Sequence, residues 1–156
     1  MNQTTNTVNT PTKTKEELVR AMQREFTEID SIMENIKEYI NNMPECLAAA
    51  DLVICRAGAI SLSELQAQGR ASILIPSPNV AENHQYHNAM AMVNRNAATI
   101  IEEKDLSGAA LCKKVEELFK KPETISSLAE NARKMAIVDA NMRIYKVIKE
   151  VLADVL

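Results

Sequence analysis

The sequence predicts an α/β fold in which a parallel sheet carries flanking helices. Three observations predict it. Two short, nearly continuous apolar runs, Asp51-Leu52-Val53-Ile54-Cys55 and Ser72-Ile73-Leu74-Ile75-Pro76, read as strands covered on both faces. A helical stretch closed by Gly69 lies between them, which gives strand–helix–strand order. The chain has 156 residues, 46% hydrophobic and 25% charged, which suits one soluble domain with a core.

Taken in order, residues 1–14 are rich in Asn and Thr and hold almost nothing to bury, so they read as a disordered tail. In residues 15–35, Leu18, Met22, Phe26, Ile29 and Met33 recur at helical spacing between charged residues, an amphipathic helix. Its apolar stripe serves either to pack on the domain or to meet another chain. Ile36 to Ile40 reads as a short extended segment. Pro44 suits the first turn of a helix running through Ala50. Residues 51–55 form the first strand, a loop with Gly58 follows, and a helix spans about Ser61 to Gln68.

The second strand is 72–76. Pro76 and Pro78 make Ser77 to Glu82 a loop. A helix from Asn83 to about Asn94 and a third strand, Ala97 to Ile101, come next. Residues 107–156 read as two or three helices broken at Pro122, with apolar faces carried by Leu128, Ala132 and Met135 and by Ile144, Val147, Ile148 and Val151. Consecutive parallel strands with short connections imply right-handed crossovers. The whole is a truncated domain over 36–156, preceded by the helix and the tail.

Composition narrows the function. Aromatic residues are 3%, Trp is absent and the net charge is −3, which speaks against nucleic-acid binding in both its stacking and its electrostatic form. Cys46, Cys55 and Cys112 are far apart, so neither a disulfide framework nor a zinc site is indicated, and free thiols fit a reducing cytoplasm. With two His and no paired Cys, no metal or other cofactor is expected. No run approaches the roughly 20 apolar residues of a membrane span.

Ligands of open parallel sheets bind beyond the C-terminal strand ends. Three segments fall there: 39–43, 56–64 and 77–85. In Arg56-Ala57-Gly58-Ala59-Ile60-Ser61 a strand passes through small residues into a helix, either an anion site built on backbone N–H groups or an ordinary strand-to-helix turn. Glu64, expected in the first turn of that helix, either accepts from the hydroxyls of a ribose or serves as a capping-box glutamate. His84, Gln85 and His87 open the next helix. They offer donors and acceptors suited to sugar hydroxyls, or form a solvated helix end. No Ser–His–Asp or Cys–His arrangement follows from the spacing.

At these residues the sequence resembles the C-terminal, donor-binding domain of the bacterial N-acetylglucosaminyltransferases of the MurG family, which complete lipid II for peptidoglycan. The matching stretches are Tyr39 to Pro44, Ala48 to Ala59, Ser63 to Leu65, Ser72 to Val80 and Glu82 to Gln85, with Glu103 to Leu106 and Asn131 to Lys134 beyond them. The similarity covers roughly residues 36–156. It implies a partial Rossmann-like parallel sheet, the C-terminal half of a GT-B glycosyltransferase, with UDP-N-acetylglucosamine as ligand. By this resemblance Ile40 meets the uracil through its backbone, with Met43 close by. Gly58, Ala59 and Ile60 lie against the diphosphate, Glu64 binds the ribose, and His84 and Gln85 face the sugar. Some relatives carry Gln at the position of His84.

The departures are as informative. The family's donor domain opens with a strand and a Gly-rich loop, and none precedes Asn35 here; the chain has only 3 Gly. The acceptor domain, with the presumed base, has no counterpart, and residues 1–34 match nothing recognisable. Gly69-Arg70-Ala71-Ser72 stands where relatives carry Gly-Lys-Pro-Ser, and Asn96-Ala97-Ala98 where they carry Gly-Ala-Ala. The expectation is therefore a donor-binding part that is incomplete as an enzyme, with no catalytic residue assigned. The alternatives are one subunit of a split transferase, whose acceptor domain comes from a separate chain, and a non-catalytic interaction module. Self-association through the 15–35 helix is a further expectation. The implied location is cytoplasmic, peripheral at the inner face of the plasma membrane.

Overall fold

The computed structural model describes residues 36–155, so the expected tail 1–14 and amphipathic helix 15–35 lie outside the described residues. The chain divides at Asn41 and Asn42. Of the first unit, the described residues 36–41 are irregular, with a bend at Glu38. The extended segment expected from Ile36 to Ile40 forms no strand, and Ile36 and Tyr39 are exposed, so no buried face organises it.

The second unit alternates helices and strands. It runs α1 (Met43–Ala49), β1 (Val53–Cys55), α2 (Ala59–Gln68), β2 (Ser72–Leu74), α3 (His84–Val93), β3 (Thr99–Ile100), α4 (Gly108–Phe119), α5 (Pro122–Lys134) and α6 (Ala140–Val155). Single 3-10 turns cover Ala81–Asn83 and Glu103–Asp105. The strands pair in parallel in the order β1-β2-β3, with Ile54 opposite Ile73 and Ile73 opposite Thr99. The expected α/β class and parallel sheet are present. The strands are shorter than the apolar runs, because β3 contributes only two paired residues of the expected five.

Alternation along β2 sends neighbouring side chains to opposite faces. Leu74 joins Leu47, Leu62, Leu65, Ala89 and Met92 on the side of α1, α2 and α3. Ile73 joins Ile101, Leu118 and Leu128 on the side of α4 and α5. Both faces of β2 are thus covered, which is why its run is apolar throughout.

The helix ends follow local chemistry. Gly69 closes α2 at φ 60, and the N–H groups of Gly69 and Arg70 return to the carbonyls of Gln66 and Leu65 at 3.0 and 2.9 Å. Ser107 caps α4, its Oγ accepting from the Ala110 N–H at 3.1 Å. Pro122 opens α5, where the sequence placed a break. Asn96 is left-handed at φ 52, a conformation Asn tolerates better than most residues, at one of the positions where relatives carry Gly. Helix α6 is amphipathic, and its side chains from Ala140 to Ala153 are exposed. Among the described residues no helix is long and apolar enough to cross a membrane.

Candidate functional site

The turn from β1 into α2 is held from its flanks. Arg56 leaves the end of β1, and Ala57 is fully buried. Asn88, in the second turn of α3, donates from Nδ2 to the Ala57 carbonyl at 3.2 Å. Helix α2 then starts at Ala59, two residues earlier than expected, with Gly58 as its cap residue. A glycine has no oxygen to offer, so no side chain caps the helix. The first N–H groups of α2 stay available at the positive end of a ten-residue helix. Gly58 has an ordinary negative φ of −70, and a Cβ there would meet only Ser61 Oγ at 3.9 Å. The backbone does not need glycine at this position; the glycine leaves the helix end bare.

The earlier start moves Glu64 into the second turn of α2, out of reach of the capping-box role that remained open from sequence. Ile60, Glu64 and Gln68 are spaced four apart and share one stripe of the helix. Ile60 is 78% exposed and Glu64 is exposed, and Glu64 enters no ion pair among the described residues. At the far end of the stripe, Gln68 Nε2 donates to the Pro44 carbonyl at 3.2 Å, which fixes Met43 and Pro44 there. At about 1.5 Å rise per residue, the helix start at Ala59, Glu64 and the Gln68 contact with Pro44 stand at about 0, 7 and 13 Å along the helix axis.

His84 and Gln85 are the first residues of α3, and the Asn88–Ala57 bond holds that helix beside the turn. The Gln85 Oε1 accepts from the Ser77 N–H at 2.9 Å, so its amide is oriented with the NH2 group left over as a donor. The His84 Nδ1 lies 2.9 Å from the Ala81 carbonyl, which leaves Nε2 outward. Just before them Glu82 and Asn83 are both left-handed at φ 51. The conformation costs on the order of 1–2 kcal/mol at Glu82 and less at Asn83, since Asn tolerates it better than most residues. Ile40 lies before α1, in the first unit of the chain.

Sequence reasoning gave no role to Asn88 or to the pair Arg56–Glu103. Asn88 could have been noticed as the residue one turn on from His84. The pair could not, because its members are 47 positions apart. The carboxylate of Glu103 sits on the Arg56 guanidinium, bonded to Nη1 and, at 3.3 Å, to Nη2, and this holds Glu103 below the usual carboxylate range and raises Arg56. A lowered carboxylate adds stability above its unfolded value and loses it as pH falls through its folded value. The gap in melting temperature between wild type and Glu103→Gln should therefore be small at neutral pH, because the pair is exposed, and should close below about pH 4. A gap that widens in acid would contradict this. A cavity of about 360 Å³ lies beyond the pair, bordered by Pro76, Pro78, Asn83, Tyr86 and residues 102–104. Among the described residues no cluster of His, Cys, Asp and Glu could hold a metal ion.

Comparison with known proteins identifies the family and the fold. Residues 3–151 match the glycosyltransferase family 28 C-terminal domain, so the similarity reaches into residues 1–34, contrary to the expectation that they match nothing recognisable. A UDP-N-acetylglucosamine--N-acetylmuramyl-(pentapeptide) pyrophosphoryl-undecaprenol N-acetylglucosamine transferase of Thermoanaerobacter sp. (strain X514) is 44% identical over 136 residues, 87% of this chain and 37% of its own length. The protein of the same name from Acetivibrio thermocellus is 44% identical over 131 residues, 84% of this chain and 36% of its own. The chain thus spans little more than a third of these relatives. A crystal structure of Acinetobacter baumannii MurG matches with a TM-score of 0.68 at 26% identity, over 74% of this chain and 33% of that one. By sequence and by fold, the chain belongs to the glycosyltransferase family 28 C-terminal domain family.

Proposed function

We propose that this chain binds UDP-N-acetylglucosamine and presents it for transfer to a lipid-linked acceptor, the reaction named for its relatives. The observation that carries the reading is the single axis along α2: a bare helix start, the exposed carboxylate of Glu64, which has no ion pair among the described residues, and the α1 corner at the far end. A nucleoside diphosphate has the same order of groups. The diphosphate takes the N–H groups of Ala59 and Ile60 beside Gly58, Glu64 accepts from the ribose hydroxyls, and the uracil lies toward Met43. Gln85 and His84 donate to the sugar.

In the transfer, the acceptor hydroxyl oxygen bonds to the anomeric carbon as the bond from that carbon to the diphosphate breaks. This chain orients the donor and stabilises the negative charge gathering on the departing UDP through the helix start. The acceptor's proton goes to a base outside the residues assigned here. The acceptor-binding half is supplied by a separate domain or chain, and the work is done at the inner face of the plasma membrane, where a lipid-linked acceptor is within reach.

Calorimetric titration with UDP-N-acetylglucosamine tests the reading, with Glu64→Ala beside the wild type. Losing two hydrogen bonds to a carboxylate should weaken binding by about 100-fold or more. A folded wild-type chain that takes up no donor would overturn the proposal.

A further inference from the structure

We propose that Arg56 and Glu103 form a positioning pair that sets the direction of the Ala57–Gly58 turn, and with it the N–H groups offered to the diphosphate; this builds on the nucleotide-sugar reading above. The geometry is specific. Arg56 directly follows β1. Its Nη1 donates to the carbonyl of Ile75, just past β2, at 3.2 Å. Its guanidinium also meets Glu103, in the 3-10 turn that follows β3. One side chain therefore ties together the C-terminal ends of all three described strands, at the rim where the turn departs.

The turn needs such ties. Gly58 has the least restricted backbone of any residue type, and no side chain caps the helix it opens. Its direction is set by its neighbours: Asn88 on the Ala57 carbonyl from one side, and Arg56 on the other. Arginine suits the task because its planar fork fixes angle as well as distance, which a lysine ammonium does not. Both partners remain partly exposed, at 51% and 39% for their side chains, and exposed pairs contribute little to stability. A contact with little weight in stability and high geometric demand is suited to positioning. The neighbouring Lys104 is taken by Glu102 at 3.0 Å, so it does not compete for Glu103.

The experiment compares the full chain with Arg56→Lys, Glu103→Gln and the charge swap Arg56→Glu with Glu103→Arg. Amide hydrogen exchange over residues 57–61 is read without ligand, and UDP-N-acetylglucosamine affinity by calorimetry. Each single substitution should speed exchange at 57–61 and weaken binding by about tenfold, the cost of reordering a loosened turn. The melting temperature should move little. The swap restores the ion pair but not the donation to the Ile75 carbonyl, so it should recover part of both losses relative to the single substitutions, which a merely structural role does not require. Exchange at 57–61 unchanged in both single variants would overturn the proposal, whatever the affinity. If exchange rises and the swap partly restores it, yet even the wild type takes up no donor, the positioning role stands and the donor reading fails.

Discussion

Gly58→Asp should make the protein more stable and abolish its binding of UDP-N-acetylglucosamine. The backbone at Gly58, with φ −70 and ψ 143, is already that of a helix cap, and a Cβ would meet only Ser61 Oγ at 3.9 Å. An aspartate there can accept from the first-turn N–H groups of α2 and complements the helix dipole. The gain is about 0.5–1 kcal/mol, or about 2–4 °C in melting temperature. The same carboxylate occupies the groups proposed for the diphosphate and places a negative charge against it. Two like charges at about 4 Å repel by roughly 4 kcal/mol at an effective dielectric constant of 20, so affinity should fall at least about 100-fold. Gly58→Asn supplies the cap without the charge and should give the same stability with a smaller loss of binding. Scanning calorimetry and titration on the same samples measure both. Undiminished binding by a stabilised Asp variant would remove the diphosphate from this helix end.

Gly69→Ala should have the opposite character: a large loss of stability from a residue away from the ligand groups. Gly69 is left-handed at φ 60, which costs an alanine about 1–2 kcal/mol. Its Cβ would also stand 2.7 Å from Arg133 Nε, 3.1 Å from Arg133 Cβ and 3.3 Å from the Ala129 carbonyl. Arg133 can swing away only by giving up its 3.1 Å bond to the Gln68 carbonyl. The sum is on the order of 2–3 kcal/mol, or a drop of about 5–10 °C. Gly108→Ala is the matched comparison, since its Cβ would meet nothing within 4 Å and the residue opens a helix. It should be neutral or stabilising by up to about 1 kcal/mol. Equal losses at both glycines would show that the α2–α5 contact carries no strain.

These two glycines also show what could be read from sequence. Gly69 announces a helix end, because a left-handed closure is the commonest reason for a glycine there. Gly58 misleads: it reads as part of a loop with the helix following from about Ser61, while the chain starts the helix at Ala59 and leaves the cap empty. A local rule is broken where a ligand can take over the missing contact. The apolar runs locate β1 and β2 because buried central strands have no polar face to confuse the pattern. They overstate β3, where only Thr99 and Ile100 are paired with β2 and Ala97, Ala98 and Ile101 are buried in the cores beside it. Ile36 to Ile40 has strand-like composition, yet Ile36 and Tyr39 are exposed and no strand forms there. Gly58, Ala59, Ile60 and Glu64 come together because they are neighbours on one helix. Long-range contacts such as Arg56–Glu103 and Asn88–Ala57 depend on the register of the sheet, and local pattern carries no trace of that.

Helix α6 follows a different physics from the rest of the domain. Its 16 residues lie with their side chains in water from Ala140 to Ala153. Among the described residues, the contacts that hold such a helix are its own ladder, the exposed Asp139–Arg143 pair at 2.8 Å and Lys149 over the Tyr145 ring at 5.8 Å. In water a helix of about 15 residues is marginal, because the cost of nucleation is shared over so few turns. To the extent that this ladder alone holds it, its population follows a helix–coil equilibrium, shortening from its ends and shifting gradually with temperature. The domain consequently has two thermodynamic regimes, a cooperative core that melts as one and a C-terminal segment whose helicity is a continuously variable quantity.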